Sequence, residues 1–190
     1  MNAALETYQD QLLSIRQQVP GLVAGLSDAQ FGWSPGPKRW SMAQCFDHLN
    51  VTARGTVAAV DRAIQNARSH GLSGPGPFAH SLFERLFIRS MEPPPGFRFR
   101  APKPLAPAAA PSQPMADIVR EFMGWQDQLS DRIRRSDGID LQRTRVQSPA
   151  SPLVAWSLGG MFALTLAHER RHLWQAGKVR SEMDASGFGL

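Results

Sequence analysis

Cysteine is scarce in this chain, which has one, Cys45, among its 190 residues, so no disulfide can form within it. Proteins without disulfides are typical of reducing compartments. The first residues carry Glu6 and Asp10 where a secretory signal would have a basic region and an apolar run. The longest apolar run, residues 153–167, contains Ser157 and two glycines, and it falls short of the ~20 residues that span a membrane. These absences favour a cytoplasmic protein without a membrane span.

Concentrated charge and strand-like alternation are also absent. The net charge of +5 is spread along the chain, whereas a nucleic-acid surface needs a dense basic patch. We therefore interpret the arginines as a solvated surface and not as a nucleic-acid site. No alternating apolar and polar run is long enough to predict a sheet. With 42% hydrophobic residues, the chain can bury one ordinary core, which predicts a single domain over residues 1–190.

What the sequence does have is apolar residues at three-to-four spacing, the pattern of amphipathic helices. Four long helices are predicted, over residues 3–26, 42–67, 115–136 and 157–176, with a short helix over 79–90. Pro20 and Gly21 should kink or divide the first helix, Gly177 should end the fourth, and the tail at about 181–190 should be frayed. The pattern predicts an all-α, four-helix bundle with at least one crossover connection.

Eight prolines fall between Pro93 and Pro114. So dense a series excludes a helix and a central strand, so the insert at about residues 92–114 should run extended over the surface as a crossover loop. A PxxP-type ligand for a partner domain is the alternative. Residues 139–152 are polar and include two prolines, and they should form a second long connection.

The second long helix has a clear start. Ser41 and Gln44 have the S-x-x-Q spacing of a capping box, which satisfies exposed amide donors at a helix N-terminus. This start places His48 one to two turns into the helix, on a face shared with Cys45 and Thr52. The preceding aromatic residues should cover the same end of the bundle; they are Phe31, Trp33 and Trp40.

The fourth long helix contains the segment HERRH, from His168 to His172. Residues four apart on a helix differ by about 40° in direction and lie roughly 6 Å apart along the axis, so both imidazoles leave the same face. The preceding residues of that face, Met161 and Leu164, are apolar, which predicts that it points into a core. Two histidines so placed can chelate one metal ion, and further ligands must then come from another element.

His48 is the candidate for a third ligand, because His70 and His80 lie in or beside predicted loops. Three neutral imidazoles would leave one position open for water or substrate, the arrangement of catalytic zinc. A hydrogen-bonded core histidine is the alternative for His48. Cys45, one turn earlier, could instead complete a closed four-ligand site, although a buried inert thiol is the commoner state of such a residue.

HERRH also matches the HExxH pattern of zinc proteases, in which the glutamate is the general base. The third histidine of the extended protease motif is missing, because no histidine follows His172. Glu169 is therefore expected either behind the ligands or on the surface, paired with Arg170 or Arg171. A metal-dependent hydrolase stays open as an alternative function.

Two strings, WSPGPKRWSMAQCFDHL and the later HERRHLWQ, carry a resemblance to the DinB and YfiT superfamily of metal-dependent proteins. The resemblance spans nearly the whole chain. It implies a four-helix bundle whose long crossover joins the second and third helices, and a divalent ion, zinc or nickel, held by His48, His168 and His172. Characterised members include transferases and isomerases that use the thiols bacillithiol or mycothiol, whereas many members have no known substrate. The proline-rich insert departs from the family's simple pattern and could reshape the pocket mouth.

Two classes of function follow. In the first, the protein is a metal-dependent enzyme in which a low-molecular-weight thiol binds the ion and a small electrophilic substrate enters the apolar mouth of the bundle, as the resemblance implies. Glu169, Thr52 and Gln175 are then the candidates for catalytic roles beside the ligands. In the second, the protein is a non-catalytic metal-binding or stress-response module. Exposed apolar faces of the bundle would also suit a homodimer.

Overall fold

Four long helices build the molecule, as the sequence predicts. The computed structural model describes residues 2–96, 101–109 and 111–188. In chain order the helices are α1 Ala3–Val23, α2 Asp28–Gly32, α3 Met42–Ser69, α4 Leu82–Met91, α5 Met115–Arg135 and α6 Leu158–Ser186. The long helices are α1, α3, α5 and α6. The all-α fold class is therefore confirmed.

Side-chain caps fix where most of these helices begin. The Ser41 hydroxyl accepts from the Gln44 amide, and the Gln44 side chain accepts from the Ser41 amide, so the predicted capping box is present. Ser27 and Ser81 begin α2 and α4 with the same reciprocal pair of bonds. Ser157 caps α6 by accepting from the Gly160 amide. Because each cap satisfies donors that a helix start leaves free, the local sequence sets the register of the histidines.

The four long helices enclose one core. α1 packs on α5 and α6, and α3 packs on the same two helices, so α1 and α3 lie diagonally across the bundle. Aromatic rings fill the centre: Phe46 of α3 meets Phe122 of α5 edge to face at 5.3 Å, and Tyr8 of α1 lies 5.9 Å from Phe162 of α6. Burying a side chain of this size contributes about 1.5–3 kcal/mol. The core thus holds α3 and α6, the two helices that carry the histidines, in fixed contact.

Pro20 does not divide the first helix, and Gly177 does not end the last one. α1 continues through Pro20, and Arg180 of α6 donates to the carbonyls of Gly21, Leu22 and Ala24, which would otherwise lack partners at this helix end. α6 continues past Gly177 to Ser186. The expectation of a frayed tail from residue 181 was therefore wrong up to Ser186, and residues 189–190 lie outside the described residues.

The connection at residues 139–152 contains a strand that the sequence reasoning missed. β1 Arg145–Gln147 and β2 Ala155–Ser157 form an antiparallel hairpin in which Val146 pairs with Trp156, both buried. Each strand has three residues, which is too short to show an alternating pattern. The hairpin packs on α3 and leads directly into α6, so it helps to place the start of the histidine-bearing helix.

The long crossover joins α3 to α5, between the second and third long helices, and it includes α4. Residues 92–96, 101–109 and 111–114 of its proline-rich insert are described, and the middle stretch, 101–109, is extended apart from one 3-10 turn at Lys103–Leu105. Residues 97–100 and 110 of the predicted insert lie outside the described residues. Within the described part of the chain, no helix has the length and apolar character needed to cross a membrane.

Candidate metal centre

Three histidines from two helices converge on one point. His48 Nε2 lies 3.1 Å from His168 Nε2, which in turn lies 3.1 Å from His172 Nε2. The ligand atoms of the three side chains all lie within 4.8 Å of one another. Zinc binds imidazole nitrogen at about 2.0–2.1 Å, which places the nitrogens of a tetrahedral centre roughly 3.3 Å apart. The observed spacing is close to that value, so the three histidines are positioned to bind a metal ion.

Burial keeps these imidazoles uncharged. It lowers the pKa of His168 to about 3, with smaller contributions from His48 and Arg171. Burial also lowers the pKa of His48, partly offset by its hydrogen bond to Leu105 and by Asp47, and it lowers the pKa of His172 well below its ordinary value. Neutral imidazole is the form that binds metal ions. The cluster is therefore ready to act as a ligand set at neutral pH.

The close contacts cannot all be hydrogen bonds between neutral rings. His48 Nδ1 lies 2.6 Å from the Leu105 carbonyl oxygen, which can only accept, so the ring proton of neutral His48 is on Nδ1 and its Nε2 carries a lone pair. One proton on His168 Nε2 can point well at only one of its two neighbouring nitrogens. At least one 3.1 Å contact is then left without a linear hydrogen bond. If a cation lay between the three nitrogens, each could direct its lone pair at the ion, and both contacts would become favourable. The arrangement of the three residues therefore fits a metal ion.

Trp40 covers the cluster from the α2–α3 connection. Its ring stacks on His172 at 5.5 Å and 24°, and its centroid lies 5.0 Å from that of His48. Phe31 turns into the core against Phe46, at 5.6 Å, and Trp33 contacts Phe188, at 6.1 Å. Of the three predicted covering aromatics, Trp40 is thus the one that contacts the site.

The histidines line a cavity of about 930 Å³ that is partly open to solvent. Such a volume suits a small-molecule site, for which a few hundred to 1,000 Å³ is usual. Apolar and aromatic side chains form much of its wall, including Phe83, Phe87, Trp156 and Leu164. His168 remains partly exposed toward this space. The centre is therefore reachable by a ligand and is not sealed in the core.

Glu169 is buried, so of the two expected positions, behind the ligands or on the surface, the surface one does not occur. Gln126 Nε2 of α5 donates to Glu169 Oε1 at 3.0 Å, whereas Glu169 Oε2 has no hydrogen-bond partner. Burial raises the pKa of Glu169 to about 7, while Gln126 and Arg170 act in the opposite direction. Arg170 makes its ion pair with Glu92. The sequence analysis did not identify Gln126, which is fully buried, because a glutamine beside an apolar stripe of a helix is normally expected to face solvent.

The other candidates fall into two groups. Thr52 and Gln175 line the cavity; the Thr52 hydroxyl donates to the Leu49 carbonyl, and Gln175 favours the protonated form of His172. Cys45 is buried, which raises the pKa of its thiol, and it is outside the cluster found among the described residues. His70 and His80 are also outside that cluster.

Comparison with known proteins covers the same part of the chain. A family model, described as the DinB superfamily, matches residues 11–176. The matched range begins in α1, includes all three histidines and ends in α6. Searches of curated proteins and of solved structures gave no match.

Proposed function

This chain belongs to the DinB superfamily, and we propose that it is a metal-dependent enzyme in which His48, His168 and His172 hold one divalent ion. The observation that carries the proposal is the convergence of three neutral imidazoles on the wall of a cavity large enough for a small molecule. Zinc and nickel both suit imidazole ligands, and we propose that one of them is bound. Cys45 is not part of this ligand set, so we propose that a coordination position is open to substrate.

A divalent ion with three imidazole ligands is a Lewis acid that, when bound, lowers the pKa of a coordinated water or thiol. The chain's own residues supply the surroundings. Trp40 and the apolar wall exclude water from one side of the cluster, which strengthens electrostatic interactions there. Gln175 and Thr52 offer polar groups beside the ligands. Glu169 and Gln126 support the helix face behind His168.

The cavity differs along α6 on the two sides of the histidines. Leu164 and Met161 precede His168 by one and two turns, roughly 6 and 10 Å along the axis, and this end is apolar. Lys178 and Glu182 follow His172 by roughly 9 and 15 Å, at the end that also includes Arg39. Arg39 and Glu182 form an ion pair across that end. The cavity could therefore bind a polar molecule at one end and an apolar molecule at the other, as a transfer reaction between two substrates requires.

We propose that these partners are a low-molecular-weight thiol and an apolar electrophile, as in a thiol S-transferase or isomerase. A metal-dependent hydrolase is the second candidate, but the hydrogen bond of Glu169 to Gln126 directs its carboxyl toward α5. A non-catalytic module would need no large open cavity beside its metal. The cavity therefore favours the enzyme.

The test is thiol consumption by zinc- or nickel-loaded protein with an aromatic electrophile, 1-chloro-2,4-dinitrobenzene, and a panel of thiols that includes bacillithiol and mycothiol. We expect adduct formation above the buffer rate, lost in His168→Ala. His70→Ala is the matched control, since His70 is exposed at the end of α3 and does not line the cavity. Equal rates in the His168→Ala and wild-type proteins would contradict the proposal.

A further inference from the structure

The middle of the proline-rich crossover, residues 101–109, contacts three side chains in the first turns of α3. We call this segment the crossover strap. Gln44 Nε2 donates to the carbonyl oxygens of Ala109 (2.9 Å) and Ala108 (3.3 Å), and the Ala108 amide donates to Asp47 Oδ2 (2.7 Å). His48 Nδ1 lies 2.6 Å from the Leu105 carbonyl oxygen. The contacting side chains on α3 are those of Gln44, Asp47 and His48, which lie within one turn of each other on one face of the helix. Their contacts hold the strap along that face.

The strap has little freedom to present a different group. Pro102, Pro104 and Pro107 each fix a backbone φ near −65°. The turn at Lys103–Leu105 is closed by the Leu105 amide, which donates to the Pro102 carbonyl at 2.8 Å. A carbonyl that follows such a turn has a preset direction. The Leu105 carbonyl is therefore a fixed acceptor for His48 Nδ1.

We propose that the crossover strap is part of the metal centre: the Leu105 carbonyl, held in place by Asp47 and Gln44, fixes the tautomer and the ring orientation of His48. A proton on Nδ1 leaves the lone pair on Nε2, the nitrogen that faces His168. Hydrogen bonds to the outer nitrogen of a histidine ligand orient the ring and raise its basicity. Asp47 is then a positioning residue, which acts through the strap and not through contact with the ligand atom.

The same segment also forms cavity wall, because Ala101, Pro102 and Leu105 line the space beside the histidines. One segment thus sets a ligand and bounds the substrate space. The inference rests on the proposed function in so far as His48 is a metal ligand. The part of the inference that concerns the tautomer of His48 does not depend on any metal, and this tautomer can be measured in the metal-free protein.

The first experiment measures zinc affinity by competition with a chromophoric chelator in wild type, Asp47→Ala, Asp47→Asn and Asp61→Ala. Removing outer hydrogen-bond partners of metal ligands typically costs 10–100-fold in affinity, so an indirect partner should cost about 3–10-fold in Asp47→Ala. Asp47→Asn keeps an oxygen that can accept from Ala108 and should recover most of the loss. Asp61 lies on the same helix and pairs with Arg132 and Arg135, so Asp61→Ala should lower thermal stability without changing zinc affinity.

The second experiment records long-range ¹H–¹⁵N spectra of the histidine rings in the metal-free protein. We expect His48 protonated on Nδ1 in wild type and a mixture of tautomers in Asp47→Ala. His48 protonated on Nε2 in wild type, or Asp47→Ala with unchanged tautomer and unchanged zinc affinity, would overturn the inference. Wild type that binds no zinc but shows the Nδ1 tautomer would overturn the proposed function and the strap's role in a metal centre, while confirming that the strap positions His48.

Discussion

Acid should destabilise the metal-free protein through His168 at pH values where an ordinary surface histidine has little effect. The pKa of His168 is lowered from 6.5 to about 3, mainly by burial and to a smaller extent by electrostatic interaction with His48 and Arg171. Between these two values the unfolded chain binds more protons than the folded one, so stability rises with pH. The stability that depends on a neutral His168 is fully present above about pH 6.5 and is lost progressively as the pH falls toward 3.

The size of the effect follows from the same two values. At pH 5 the solution is about 1.5 pH units below the ordinary pKa of histidine, and each unit corresponds to about 1.4 kcal/mol. His168 alone should therefore cost the metal-free protein about 2 kcal/mol of unfolding free energy between pH 7 and pH 5. That is a large share of the 5–15 kcal/mol by which a typical domain is stable.

The assay is urea unfolding of chelator-treated protein at pH 7 and pH 5, in wild type and in His168→Gln. Glutamine is neutral and of similar size, so it removes the titrating group with little change of volume. Wild type should lose about 2 kcal/mol more than the variant on acidification, because carboxylates elsewhere contribute equally to both. An equal loss in the two proteins would refute the argument that burial keeps the cluster uncharged.

Two further predictions use other contacts. A β-carbon on Gly160 would lie 2.6 Å from a Glu84 carboxylate oxygen, so Gly160→Ala should lower the unfolding free energy by roughly 1–3 kcal/mol. A β-carbon on Gly177 would have no atom closer than 3.8 Å, so Gly177→Ala should raise the unfolding free energy by up to about 1 kcal/mol in the same urea assay. Changes of the same sign in both variants would contradict the described packing. Cobalt bound at the histidines should quench the fluorescence of Trp40, whose ring stacks on His172 and lies 5.0 Å from that of His48. Trp40→Phe should therefore remove more of the quenching than Trp125→Phe, and the reverse order would place the ion elsewhere.

The sequence was sufficient for the features that depend on local chemistry. The Ser41–Gln44 capping box fixes the start of α3, and with it the inward direction of His48. The four-residue spacing of His168 and His172 places both rings on one face of α6. Both features are determined within one or two turns of helix, so they do not depend on how distant segments pack.

The features that were missed depend on packing between distant segments. Gly177 does not end α6, because burial of Val179 and Met183 outweighs the roughly 1 kcal/mol that a glycine costs a helix. Glu169 is buried and accepts a hydrogen bond from Gln126 of α5, a pairing that spans 43 positions in sequence. The Leu105 carbonyl could not be found from sequence, since every residue has a carbonyl and only the fold selects one.

The central claim is that His48, His168 and His172 hold one metal ion, and elemental analysis of untagged protein tests it most directly. Wild type, His48→Ala, His168→Ala, His172→Ala and the control His70→Ala are each reloaded with zinc or nickel and freed of excess metal. We predict about one ion per chain in wild type and in His70→Ala, and a large loss in the other three variants. Full occupancy in any of those three, or no ion in wild type after reloading, would contradict the claim.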